Sequence, residues 1–339
     1  MSVSSSPDPD KPLLDWYIEA YHRGNSPETV ENAKKARRKF NEFLNSKEIT
    51  PHDVDRSLAF EFIENVVDEY SPHYQRGIVG EIQKFYDYCL DRGINDIDGN
   101  PIKVVREDQN PLDTPKERDP HMISIEEMSE YICSFEHPLY LGITTCLAKT
   151  TRRVGAVLNL DLYDVNISHP ACDWEVHPDI RHNADYLYIP SEPTEGEKFR
   201  GEMRSVGNKT KSSRIVPIDD ELKNAIIWYL LIRPGSTDKH SPLWKTSYNS
   251  RLGYGTLYNR IIAKSKELDH WYGAHDPHNV GPHYFRHWST TTLRDRSTGD
   301  TGLVDYIRGD KGQDMKDRYT HWSDSKEKEF LDIVPKFFD

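Results

Sequence analysis

The sequence predicts a mainly α-helical protein with a small β-sheet, divided into two domains. Three observations carry this expectation. Apolar residues recur at helical spacing in four successive stretches near the N-terminus, a proline- and charge-rich stretch then breaks the pattern, and only two short β-type runs, 186–190 and 213–218, occur further on. At 339 residues the chain exceeds the usual length of one domain. No run approaches the ~18 consecutive apolar residues of a membrane-spanning helix. The first ten residues have neither the basic start nor the apolar run of a secretory signal, so a soluble, cytoplasmic protein is expected.

Residues 1–12, rich in Ser, Pro and Asp, have the composition of a disordered tail. Helices are expected over about 13–22, 27–46, 53–69 and 72–92, forming a helical domain over 13–95. Ser26-Pro27 sets a cap before a proline at the first helical position, where its missing N–H costs nothing, and Ser71-Pro72 repeats the device. Residues 96–120 mix Gly, Asn and four prolines with charges and read as a linker. A second domain, 121–339, opens at Ser124, whose partner Glu127 three residues on makes a capping box for a helix to about 135. Apolar helices around 139–148 and 154–160, the two β runs, and helices near 221–231, 257–267 and 285–294 follow. The apolar end of the tail, 330–338, is too small for a core of its own and must dock, either on its own domain or on a neighbouring protomer.

Composition limits the chemistry. Cys89, Cys133, Cys146 and Cys172 form no C-x-x-C pair and are expected as reduced core thiols. Two histidine-containing stretches, His169/Cys172/His177/His182 and His270/His275/His278/His283, match no usual zinc spacing, so no metal and no other cofactor is expected. With 44 basic and 56 acidic residues the net charge is −12, which by itself argues against a polyanionic partner. Binding depends on where charge sits, however, and Lys34, Lys35, Arg37, Arg38 and Lys39 cluster on one expected helix as candidate phosphate contacts.

The strongest signal is an ordered set of cationic motifs: Thr150-Thr-Arg152-Arg153, then Lys209-Thr-Lys211 ahead of Arg214-Ile-Val-Pro217, then His283-x-x-Arg286-His287, and finally Arg318-Tyr319-Thr-His321. Guanidinium groups stay charged and hold phosphate oxygens bidentately, so together these residues suit phosphodiester chemistry.

In composition and order the motifs resemble the tyrosine recombinase, or phage integrase, family, which includes the Xer recombinases and archaeal integrases. The run from Thr150 to Leu160 is similar to the family's first box and aligns Arg153 with its first catalytic arginine, Arg152 being the alternative one register away. The resemblance makes Lys209 the catalytic lysine, with Lys211 as runner-up, His283 and Arg286 the second box, and Tyr319 the nucleophile. Three positions depart from the pattern: Thr151 replaces the usual glycine, Ala156 the usual acid, and Arg308-Gly309-Asp310-Lys311 the usual Gly-His or Trp. Lys311 or Asp310 therefore stands where a sixth catalytic residue is usual. The resemblance implies a helical core-binding domain and a catalytic domain that clamp double-stranded DNA, a tetramer on the recombination site, and cleavage through a 3′-phosphotyrosyl link. Integration or excision of a mobile element is the favoured role; dimer resolution of the Xer type and a catalytically inactive DNA-binding regulator are the alternatives.

Overall fold

The computed structural model describes residues 11–94, 97–113, 121–170, 172–182, 184–210, 212–235, 238–273, 276, 278–297, 301–309 and 324–338. Among them the chain is mainly helical with a small antiparallel sheet, and it divides into two compact units, Met1–Arg118 and Asp119–Asp339.

The first unit contains α1 (Leu13–Tyr21), α2 (Pro27–Ser46), α3 (Arg56–Glu69), α4 (Pro72–Asp91) and α5 (Pro101–Asp108). Ser26 caps α2 by accepting from the Thr29 N–H, and Asp55 caps α3 from Leu58. The helices close on an aromatic core in which Phe40 and Phe62 meet edge-on at 4.9 Å and Phe85 and Tyr86 are fully covered. Helix α5 corrects the expectation of a featureless linker over 96–120. Asn100 caps it by accepting from Lys103 N–H, Pro101 occupies the first turn where proline is tolerated, and Ile102 and Val105 enter the core together with Leu112. A cap, a proline and an i, i+3 apolar pair are a complete helix signal; the surrounding charges and prolines hide it.

The second unit opens with α6 (Ile125–Cys133), where Ser124 and Glu127 make the reciprocal capping box, and continues with α7 (Pro138–Thr150) and α8 (Val154–Leu158). A three-stranded antiparallel sheet follows, in the order β1 (Val165–Asn166), β2 (Tyr186–Ile189), β5 (Arg214–Pro217), with Leu187 opposite both Val165 and Val216. Between β2 and β5 the chain forms a small hairpin of β3 (Lys198–Phe199) and β4 (Glu202–Met203). Helices α9 (Asp220–Leu230), α10 (Tyr254–Glu267), α11 (Pro282–Arg296), α12 (Thr301–Arg308) and α13 (Asp324–Ile333) complete the unit. Its core joins the sheet to α7, α9 and α11 through residues such as Leu147, Leu187, Val216, Trp244, Phe285 and Trp288. Of the four cysteines, Cys89 and Cys146 are core thiols as expected, but Cys133 is exposed and Cys172 only partly covered.

The C-terminal tail docks on its own unit. Phe330, Ile333, Val334 and Phe337 are buried in the core, and Phe337 lies 5.9 Å from the Trp288 ring. The polar half of the dock is built on Lys149, 2% exposed, which donates to Asp219 and Glu221 at 2.6 Å each and to the Pro335 carbonyl at 2.7 Å. Glu221 also accepts from the Phe337 and Phe338 N–H groups, and Lys336 donates to Asp219 at 2.9 Å. Burial pushes the Asp219 carboxyl up, but the two lysines outweigh it and hold its pKa below the usual value. Phe337→Ala should cost about 3–5 kcal/mol of unfolding free energy in a urea titration, the range for a buried phenylalanine.

Candidate active site

The cationic motifs converge within the second unit. Helix α7 ends at Thr150, and Thr151 turns the chain in the left-handed region at φ 53°. Glycine is the usual occupant of such a turn because a β-branched side chain is strained there. The turn delivers Arg152 and Arg153 on the two sides of the backbone trace: Arg152 goes into the interior, 2% exposed, and Arg153 flanks the start of α8, half-buried.

Arg153 donates from Nη1 to the Lys209 carbonyl at 3.0 Å. Lys209 is exposed and has φ 50°. From α11, Arg286, 7% exposed, donates from Nη1 to the Thr151 carbonyl at 2.7 Å and to the Arg308 carbonyl at 2.9 Å. It thereby ties α11 to both the arginine turn and the end of α12. His283 stands one helical turn before Arg286 on the same helix, exposed like Lys209. Its pKa is lowered by surrounding protein atoms first, and then by His287, Lys209, Arg153 and Arg286, so these cations act on one imidazole. Both burial and the neighbouring charges thus favour the neutral form of the ring.

Arg153, Lys209, His283 and Arg286 are thus brought together from three separate stretches of sequence. Tyr319, Asp310, Lys311 and Lys211 lie outside the described residues. At Gly309 the φ of 74° calls for glycine, and an added Cβ would lie 2.9 Å from Arg152 Nη1. Among the described residues there is no group of three His, Cys, Asp or Glu side chains that could hold a metal ion.

Arg152 is the feature that the sequence pattern conceals. Its Nε and Nη2 are buried with no hydrogen-bond partner among the described residues. Burial, then the charges of Arg214 and Arg286, lower its pKa to about 9, which still leaves it charged at neutral pH. Arg214 itself lies over the Tyr306 ring at 5.0 Å.

The basic cluster of the first unit divides. Lys34, Lys35 and Arg38 are exposed, whereas Arg37 pairs with Asp15, and Lys39 pairs with Glu69 and, at 3.5 Å, with Glu42. Two of the five expected phosphate contacts are therefore engaged within the protein. The adjoining groove of about 850 Å³ between α2 and α4 includes Lys35, Arg38 and His73 but also Glu28, Glu31, Glu42 and Glu69, so it is not a uniformly basic track. No helix among the described residues is long and apolar enough to cross a membrane.

The chain has the mainly helical fold, with a small antiparallel sheet, of solved tyrosine recombinases. A fragment of the Tn1549 transposon integrase in complex with a circular intermediate DNA matches with a TM-score of 0.64 and 16% identity, over 93% of this chain and 96% of that one. A lambda integrase dimer bound to a COC′ core site matches at 0.62 and 14% identity, over 94% and 81%. A lambda integrase tetramer bound to a Holliday junction gives 0.61 and 14%, over 92% and 78%. No protein-family model and no curated protein matches the chain.

Two outcomes follow from this geometry. Because Arg152 carries a buried charge whose Nε and Nη2 meet no acceptor among the described residues, Arg152→Met should not lower the unfolding free energy and should raise it by up to about 1–4 kcal/mol, as replacement of buried ionic groups by apolar ones does elsewhere. His283, followed by NMR, should titrate below the ordinary histidine value of about 6.5, and Lys209→Ala should move it upward.

Proposed function

We propose that the protein is a tyrosine-type site-specific DNA recombinase that cleaves and rejoins double-stranded DNA through a covalent 3′-phosphotyrosyl intermediate. The observation that carries this reading is the gathering of Arg153, Lys209, His283 and Arg286 around one solvent-facing site. The chemistry needs a nucleophile, and Tyr319 is ten residues beyond Gly309 in sequence. That span reaches at most about 36 Å when extended, ample to bring a phenol to the site.

In the proposed step the Tyr319 oxygen attacks the scissile phosphorus and its proton passes to the His283 imidazole. The bond from phosphorus to the 5′-oxygen breaks, and Lys209 donates the proton that the leaving oxygen takes up. One phosphodiester is exchanged for another, so no nucleotide triphosphate is consumed. Arg153 and Arg286 hold the non-bridging oxygens and stabilise the charge that grows on them in the transition state. Resealing runs the same path backwards, with a 5′-hydroxyl attacking the phosphotyrosyl group.

Lys34, Lys35 and Arg38 are the proposed backbone contacts of the first unit, a local basic surface on a chain that is acidic overall. Assembly as a homo-tetramer on the recombination site, and integration or excision of a mobile element as the biological role, belong to the same proposal. They are supported by the likeness to the lambda integrase, described as a tetramer on a Holliday junction, and to the integrase of a transposon.

The test is a nicked duplex drawn from a randomised library by covalent capture. The wild type should yield a protein–DNA adduct that survives denaturation, and Tyr319→Phe should yield none. Arg153→Ala and Arg286→Ala should each slow adduct formation by about 10²–10³-fold, the usual loss for one oxyanion-stabilising donor. DNA binding without any adduct in the wild type would mark a regulator instead.

A further inference from the structure

Helix α8 has Arg153 at one end and Asn159 at the other, and both reach the same loop. Asn159 is fully buried, and its Nδ2 donates to the Val206 carbonyl at 2.8 Å and to Asn208 Oδ1 at 2.7 Å. Asn208, 1% exposed, donates from Nδ2 to the Pro190 carbonyl at 2.7 Å and from its backbone N–H to the Pro193 carbonyl at 2.9 Å. Carbonyls only accept, so Val206 and Pro190 determine which way both amides face, and the remaining Asn208 oxygen is left to meet Asn159. The two amides therefore face one way, with Asn159 Nδ2 and both polar atoms of the Asn208 side chain engaged, while Asn159 Oδ1 is buried and meets no hydrogen-bond donor among the described residues.

Close packing removes the slack around them. A Cβ at Gly155 would lie 2.4 Å from the Gly207 carbonyl oxygen, so α8 presses directly on the backbone of the loop. A Cβ at Gly207 would in turn lie 3.1 Å from the Glu195 nitrogen on the other side. The residue that emerges from this clamp is Lys209, in the left-handed region and held at its carbonyl by Arg153. A lysine in that region is strained, and the strain persists only where neighbours over-determine the backbone.

We propose that Asn159 and Asn208 are positioning residues for Lys209, fixing its loop on α8 so that the lysine meets the leaving 5′-oxygen while Arg153, on the same helix, meets the phosphate. The proposal rests on the reading of Lys209 as the general acid. Neither asparagine touches DNA; each acts through the lysine. A five-residue helix thus sets the spacing between charge stabilisation and proton donation.

A leaving group that needs no proton separates this role from simple structural support. An alcohol leaves poorly without protonation, whereas a thiol, with a pKa near 8.5, leaves readily as the anion. The experiment compares Asn159→Leu, Asn208→Ala, Lys209→Ala and wild type on the captured nicked duplex and on the same duplex with sulfur replacing the bridging 5′-oxygen. Unfolding midpoints are measured alongside, and Asn208→Ala carries the test if Asn159→Leu does not fold. The expected result is a loss of about 10²-fold on the ordinary duplex, within the range for general-acid catalysis, with the sulfur-substituted duplex cleaved at the wild-type rate, and the same split for Lys209→Ala. Equal slowing on both duplexes, or no slowing on either, in a folded asparagine variant overturns the proposal while leaving the recombinase reading intact. If Lys209→Ala slows both duplexes alike, the general-acid reading fails, and the proposal with it. A wild type that forms no adduct on either duplex overturns the recombinase reading itself.

Discussion

The site depends on bringing guanidinium groups near one another by means of neutral oxygen atoms. Arg286 is tied to the carbonyls of Thr151 and Arg308, and Arg153 to that of Lys209. A carbonyl orients a guanidinium without cancelling its charge, whereas a carboxylate would do both. The field felt by His283 is the result: after burial, the charges of Lys209, Arg153 and Arg286 lower the pKa of that one ring. The same bonds set the architecture, because they join α11 to the turn after α7 and to the end of α12.

Elsewhere in the same unit arginines are used in the opposite way. Asp161 and Asp164 are fully buried, and Arg200 grips Asp164 with two parallel bonds of 2.8 Å while Arg204 and Arg251 converge on Asp161. Burial pushes Asp164 up to about 6, against the pull of Arg200. This cluster anchors the hairpin of β3 and β4 to the segment after α8 and leaves those charges neutralised. One set of arginines is thus neutralised by carboxylates to hold the fold, while the other, held by carbonyls, keeps its charge.

Much of this is legible in the sequence where a local signal is complete. The capping box of Ser124 and Glu127, the Ser26 cap ahead of Pro27, and the β runs around Leu187 and Val216 each contain their own structural reason, whereas Pro72 opens its helix with no side-chain capping bond from Ser71. Legibility fails where the reason is a partner far away. Lys39 reads as a surface base until α3 brings Glu69 beside it, and Asn159 is an unremarkable helix end until Asn208 arrives from 49 residues on. Helix α5 was obscured by composition, since proline and charge signal a linker only when no apolar pair follows the cap. The tail is the reverse case: its apolar residues promise docking, but only Lys149, Asp219 and Glu221 together define the socket.

Thr151 illustrates what an unfavourable residue contributes. A glycine at this joint would remove the strain, but it would also let the peptide swing among many orientations. A threonine, its Oγ1 buried and without a hydrogen-bond partner among the described residues, has far fewer alternative conformations once the turn is made. The carbonyl that Arg286 grasps is therefore aimed by the backbone itself, and the cost of that rigidity is met once, during folding.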